Sequence, residues 1–282
     1  TAVGHNALTA NTTGASNVAI GRGSLGFNTT ASNNTAVGDL ALNANTTGHS
    51  NTAVGVNALK ENTANYNVAV GNQALTVNTS GEDNTGVGNS ALAANTTGDD
   101  NTAMGDNALV FNTTGSSNTG LGSLALYANT TGNNNVAVGA LSLKSATTAN
   151  ENTAVGYSAM EENTTGLYNS ALGFKALEAN VSGERNTAIG RQALTNSTGS
   201  QNTAVGMNCL YENTNGQYNT AVGSRALLNN TTADNNTAVG TDCAMNVTTG
   251  VGNTAVGKGA FLTSTTGDNN VSIGKDSMQD NT

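Results

Sequence analysis

The chain has 282 residues and a formal net charge of −9, with 36% hydrophobic, 4% aromatic and 10% charged side chains, 35 glycines, and neither proline nor tryptophan. So few bulky residues exclude a large rounded core, which needs them to reach close packing, and there is no run of about 18 apolar residues that could span a membrane. The acidic balance argues against a nucleic-acid groove, and low charge with abundant Thr and Val sets the chain apart from charged disordered sequences.

One phrase recurs along the whole chain. Asn-Thr-Ala-Val-Gly, or a close variant, begins at Asn17, Asn34, Asn51, Asn67, Asn84, Asn101, Asn118, Asn135, Asn152, Asn169, Asn186, Asn202, Asn219, Asn236 and Asn253. A truncated copy begins at Asn270, and residues 1–16 form a copy without its first Asn. The spacing is 17 residues except after Asn51 and Asn186, where it is 16. The consensus is N-T-A-V-G-x-x-A-L-x-x-N-T-T-G-x-x, and its positions are numbered here as columns 1 to 17. A fixed short period marks a stacked repeat architecture.

In chain order within one repeat, column 1 is Asn wherever it is present, as at Asn34, Asn51 and Asn101. Columns 2 to 4, Thr-Ala-Val, predict a short strand: β-branched, small and apolar. Column 5 is Gly in every copy, Gly38, Gly55 and Gly105 among them, and ends the strand with a bend. Columns 8 to 10 predict a second short strand, with Leu at column 9 in 13 of 17 copies, as at Leu42 and Leu59. Asn-Thr-Thr-Gly at columns 12 to 15 supplies turn chemistry for a second corner. Seventeen residues are too few for a helical hairpin, and recurrent Gly, Asn and Thr are poor helix formers.

The expected fold is all-β: a narrow, two-sided parallel β-solenoid with one coil per repeat. Residues 1–282 would form a single array of about 17 coils. At ~4.8 Å per coil the array is a stiff rod roughly 80 Å long. Stacking would turn Asn columns 1 and 12 into side-chain amide ladders. It would turn Val37 and Val54 of column 4, with Leu42 and Leu59 of column 9, into inward apolar stripes. Small residues at columns 3 and 8 would allow close approach of a facing sheet or a neighbouring chain. All 27 charged side chains and both histidines fall in columns 6, 7, 10, 11, 16 and 17, which therefore face water. A flexible low-complexity linker would scatter its charges over every column.

Asn17-Val-Ala-Ile-Gly21, Asn67-Val-Ala-Val-Gly71, Asn135-Val-Ala-Val-Gly139 and Asn270-Val-Ser-Ile-Gly274 resemble the head repeats of trimeric autotransporter adhesins of the YadA-like type. The resemblance covers the whole chain in rhythm but only columns 1 to 5 in detail. The family's common repeat is shorter, and the Asn-Thr-Thr-Gly corner departs from it as an extension. Similar repeats occur in phage tail fibres and other trimeric bacterial fibres. The resemblance implies a left-handed β-roll, three chains side by side, and a place at a bacterial or virion surface.

Reactive residues are sparse. His5 and His49 lie in different coils with no evident Ser or Asp partner for nucleophilic catalysis, so no enzyme is expected. Cys209 and Cys243 share column 8 two coils apart, about 9.6 Å by the strand spacing, beyond the ~7 Å reach of a disulfide. They stand in for Ala in a small column. Glu82-Asp83 and Asp99-Asp100, with Asp106, form an acidic edge that could attract Ca²⁺, but a solvated acidic patch is the plainer reading, and no metal is expected. Gly21-Arg22-Gly23-Ser24-Leu25-Gly26 matches G-x-G-x-x-G without a following helix pattern. Gly252 to Lys258 has phosphate-loop spacing, with Gly259 where a Mg²⁺-binding hydroxyl belongs. Both coincide with the repeat glycine, and no cofactor is expected. Asn-Thr-Thr is formally a glycosylation sequon many times over, although its coil period favours a structural ladder.

Exposed aromatics could stack on sugars or insert into a receptor. Tyr127, Tyr157, Tyr168, Phe174, Tyr211 and Tyr218 are the binding candidates, with Phe27, Tyr66 and Phe111 of the same kind. They do not share one column. The expected function is a structural or adhesive fibre segment, extracellular, at a cell, vesicle or virion surface. Its partners would be two further copies of itself and an unidentified receptor or glycan, with no membrane contact of its own. The alternative is an ice-binding solenoid with threonine rows at columns 2, 13 and 14. A carbohydrate-active enzyme on a β-helix is disfavoured by the lack of a carboxylate pair in a cleft. The sequence starts and stops inside a repeat, as a fragment of a longer chain would.

Overall fold

The computed structural model describes residues 1–279. It contains seventeen parallel strands and no helix: Ala2–Val3 first, Val271–Ile273 last, and between them three-residue strands such as Thr35–Val37, Thr52–Val54 and Thr187–Ile189, all on columns 2 to 4. The chain is a β-solenoid of about sixteen turns. It divides into two compact units, residues 1–141 with 146–148, and residues 142–145 with the described chain from 149 onward. In the first unit nine strands pair each with the next, as in Thr35↔Thr52, Ala36↔Ala53 and Val37↔Val54. In the second, eight strands do the same, as in Thr220↔Thr237, Ala221↔Ala238 and Val222↔Val239.

The two 16-residue repeats keep this register, with Thr52↔Val68 and Thr187↔Thr203. The lost residue comes out of the second corner. Asn45 Nδ2 donates to Gly48 O three residues on, whereas Asn62 Nδ2 donates to Ala64 O only two residues on. A corner can shorten where a strand cannot, because one residue removed from a strand would reverse every side chain beyond it.

Columns 8 to 10 are not a second strand, contrary to the sequence expectation. They are successive turns in which columns 7, 9 and 17 take left-handed backbone angles, for example Asn57 (φ 58°), Leu59 (φ 49°) and Tyr66 (φ 59°). Coils still bond across this side: Leu42 N–H donates to Ala58 O at 3.0 Å, and Leu59 N–H to Ala74 O at 3.0 Å. A left-handed leucine costs about 1–2 kcal/mol. Burying its side chain, which is complete at Leu42 and Leu59, contributes about 1.5–3 kcal/mol. Burial therefore overrides local preference.

Val37 and Val54 do not point inward. In a three-residue strand the middle position takes one face and its neighbours the other. Here column 3 takes the interior: Ala36 and Ala53 are fully buried, while Val37 is half-buried and Val54 is 37% exposed. A Cβ on Gly86, at column 3, would sit 3.4 Å from Leu75 Cδ1. Columns 3 and 9 are thus packed at contact distance, and the larger valine fits only outside. Columns 3 and 8 are internal, so they offer no surface to a neighbouring chain, which corrects that part of the sequence reading.

Column 5 shows why glycine is invariant. Gly55 has φ +138°, and a Cβ there would lie 2.3 Å from Gly71 O in the next coil. Gly38 and Gly105 are alike, with φ +142° each. Both the angle and the clearance exclude a side chain.

Candidate functional site

The Asn columns form the scaffold from which every surface feature projects. At column 1, Asn34 Oδ1 accepts the backbone N–H of Asn51 at 2.9 Å, and Asn34 Nδ2 donates to Gly48 O in its own coil at 2.8 Å. The ladder thus runs largely from side chain to backbone. At column 12 it runs between side chains: Asn95 Nδ2 donates to Asn78 Oδ1 at 2.8 Å and Asn112 Nδ2 to Asn95 Oδ1 at 2.8 Å. Where the column breaks, an acceptor is stranded. Asn129 precedes Ala146 and Asn230 precedes Val247, and both buried Oδ1 atoms lack a partner.

Two further ladders were not anticipated. Column-13 threonines donate Oγ1 to the next coil's carbonyl, as Thr96 to Thr113 O at 2.9 Å. Column-16 side chains accept the preceding coil's N–H, as Asp99 Oδ1 from Glu82 N–H at 2.8 Å and His49 Nδ1 from Ser32 N–H at 3.1 Å. Ser, Asn, Asp and His are all acceptors of similar reach, which is the signal that column 16 carried in the sequence.

The exposed surface of columns 2 and 4 is the most regular feature of each unit. Thr35, Thr52, Thr85 and Thr102 at column 2 are half-buried, and the column-4 row beside them is apolar, with Met104 51% exposed and Val3, in the first coil, 57%. The second unit repeats this with Thr187, Thr220, Thr237 and Thr254 beside a row that includes Leu172, also 51% exposed. Ser170 replaces threonine in that row, and a dip of about 160 Å³ opens against Ala171, Leu172 and Ile189.

The aromatic candidates are distributed over the corner columns. Tyr157, Tyr168, Phe174 and Tyr218 are exposed, whereas Tyr127 and Tyr211 are half-buried. Tyr157 and Phe174 stack between adjacent coils, with centroids 5.7 Å apart and planes 12° from parallel. Arg191 and Lys175 lie 6.0 and 5.8 Å from the Phe174 centroid. Glu178, hydrogen-bonded to Lys175, holds that ammonium's pKa above its ordinary value. Tyr127 meets Phe111 edge-to-face at 5.0 Å, and Arg185 lies 5.3 Å from the Tyr168 ring centroid. These are local pairs, not a continuous stripe.

Cys209 and Cys243 are free, buried and unbridged. Cys209 Sγ donates to Ala221 O at 3.1 Å, and burial pushes its thiol up to about 12. Burial raises the Cys243 thiol as well. Thiolate chemistry is suppressed at both. Among the described residues, no group of three or more His, Cys, Asp or Glu is gathered closely enough to hold a metal ion, and no helix is long and apolar enough to cross a membrane. Of the two phosphate-loop spellings, Gly21 to Gly26 lies in a coil bend and Gly252 to Lys258 runs through the strand Thr254–Val256, with no helix after either among the described residues.

Fold and surface together define a β-solenoid repeat protein held by stacked asparagine hydrogen bonds, with an uncharged outer sheet face. No known family model matches the chain, and no curated protein aligns with it significantly.

Proposed function

We propose that the chain is a segment of a surface fibre, extracellular on a cell or virion, in which three copies pack side by side through their outer sheet faces. The corner columns would then be free to engage a receptor or glycan. The observation that carries this reading is the apolar column-4 row. With column-4 side chains about a third to a half exposed, eight coils present on the order of 450 Å² of apolar surface, the size of the largest patch on a typical soluble monomer, ~300–600 Å². With the column-2 threonines, one face of one unit approaches the ~800 Å² per partner of a standard interface. The row is also uncharged throughout, and it repeats with the coil period, so a second copy matches it at every step. The sequence resemblance to trimeric adhesin heads points the same way. In this reading the chain carries out no chemistry, and three identical chains raise the avidity of weak contacts.

Sedimentation equilibrium on the 282-residue chain tests it. A trimer that dissociates on Met104→Asp and Leu172→Asp, with the circular dichroism melt retained, is the expected result. A strictly monomeric wild-type chain would remove the reading. The second reading, an ice-binding face, is favoured by one observation: column-2 threonines and column-4 valines lie on the same outward side of a parallel sheet. Columns 13 and 14 add less, since the column-13 hydroxyls are spent on backbone carbonyls. Thermal hysteresis by the purified chain, lost on Thr85→Tyr, would promote it over the fibre.

A further inference from the structure

A cavity of about 630 Å³ interrupts the corner surface of the first unit, lined by His5, Arg22, Gly23, Gly26, Phe27 and Asn43 among others. It arises from one coil. Column 7 and column 10 carry side chains in the flanking coils, Asn6 and Thr9 before and Leu40 and Asn43 after, but are Gly23 and Gly26 here. No other coil has glycine at both columns; Gly259 at column 7 is accompanied by Leu262 at column 10.

The backbone does not require these glycines. Gly23 has φ +64°, yet Leu40, Asn57 and Asn107 occupy the same column at φ 53–58°. A Cβ on Gly23 would meet Leu40 Cδ2 at 2.9 Å, and one on Gly26 would meet Asn43 Nδ2 at 2.9 Å. Leu40 Cδ2 is the far end of a flexible side chain and can yield, whereas a Cβ on Gly26 would also lie 3.1 Å from Gly23 O and would push Asn43 Nδ2 off that carbonyl. What the two glycines change is the volume above them.

The walls combine one aromatic face with polar groups. Phe27, at the rim, is 60% exposed. Asn43 Nδ2 donates to Gly23 O at 2.6 Å, which ties that amide to the wall. Arg22 Nε and Nη2 each donate to the Asp39 carboxylate at 2.8 Å. The carboxylate raises the guanidinium's pKa and is itself held below the ordinary carboxylate range, so the pair is ionised and mutually neutralised. A phosphate or acidic sugar would gain no net charge from it and would approach a chain of net charge −9.

We propose that this cavity is a binding site for a neutral pyranose of a glycan, its apolar ring face on Phe27 and its hydroxyls on Asn43, Arg22 and His5. The volume lies within the usual ~300–1,000 Å³ of ligand sites, and an apolar platform with a few polar groups is their usual make-up. A sugar ring has that same division between C–H faces and hydroxyl edges. The inference deepens the surface-fibre reading, on which it rests for the source of the glycan.

The test is saturation-transfer NMR on the 282-residue chain with the methyl glycosides of glucose, galactose, mannose and N-acetylglucosamine, and with a sialoside as the charged comparison. Transfer to the ring protons of at least one neutral glycoside is expected, weakened about tenfold or more by Phe27→Ala, as for an aromatic anchor that the ligand covers. Gly23→Asn with Gly26→Thr should abolish it. Those residues stand at the same columns in the coil of Asn6 and Thr9, so this variant should keep the wild-type melting curve. No transfer from any neutral glycoside, equal transfer in the filled variant, or preference for the sialoside would each overturn the proposal. A trimer without a saccharide signal would sink this inference alone, whereas a monomer with one would sink the fibre and leave the site.

Discussion

Asn101→Ala is the sharpest test of the asparagine scaffold. Asn101 is fully buried. Its Oδ1 accepts from Asn118 N–H at 3.0 Å and from Asn118 Nδ2 at 3.1 Å, and its Nδ2 donates to Gly115 O at 2.8 Å and to Asn84 Oδ1 at 3.1 Å. Truncation does not orphan all of these partners. Gly115 O keeps Asn112 Nδ2 at 2.8 Å, and Asn118 Nδ2 keeps Gly132 O at 2.7 Å. Asn118 N–H has no such alternative. One orphaned buried N–H costs about 1–3 kcal/mol, and three lost net hydrogen bonds add ~0.5–1.5 kcal/mol each. The expected loss is therefore about 2.5–7.5 kcal/mol. Thr97→Ala, at an exposed corner column whose backbone N–H bonds to Thr113 O, should stay within about 0.5 kcal/mol. Urea unfolding followed by circular dichroism measures both, and amide exchange at Asn118 localises the damage. Because a repeat array gains its stability from neighbouring coils, the slope m is expected to fall along with the midpoint. An unchanged midpoint with Asn118 still protected would refute the ladder as a source of stability.

Three other outcomes follow from the same geometry. Gly55→Ala combines a φ of +138° with a 2.3 Å clash against Gly71 O; it should cost more than the ~1–2 kcal/mol of a left-handed residue alone, and a melting temperature equal to wild type would contradict that packing. Leu59→Ala removes a fully buried side chain and should cost about 2.7–5 kcal/mol in urea unfolding. Cys209 should resist a thiol reagent at pH 8 until the chain unfolds. Its folded pKa, about 12, lies above the ordinary 9.0. The folded state therefore holds the proton when the unfolded state has released it, and stability falls as pH rises from about 9 toward 12. Cys209→Ala should flatten that part of the pH profile relative to wild type.

How far the fold was legible varies by column. Charge excluded from eleven of seventeen columns marked a stacked coil, because equivalent side chains in a solenoid share one environment. Asn at column 1 was legible as a ladder, although its bond to the next coil's N–H was not, since composition does not distinguish a side-chain from a backbone partner. Val37 and Val54 were misplaced because alternation fixes that column 3 opposes columns 2 and 4 but not which side is inside. Restriction to Ala, Gly and Ser at column 3, against Val, Ile, Leu and Met at column 4, was the available signal. The second strand failed at Leu42 and Leu59 because leucine in the left-handed region runs against local propensity, and only burial of the side chain makes it favourable.

Sequence alone determined the period, the parallel stack, the glycine bend at Gly38, Gly55 and Gly105, and the exposure of the charged columns, since each follows from a pattern repeated at fixed spacing. Tertiary structure alone decided which face of the three-residue strand meets water, how the two short repeats are absorbed, and where Gly23 and Gly26 leave a hollow. Those depend on contacts between coils, and a contact between residues seventeen apart exists only once the chain has closed its turn.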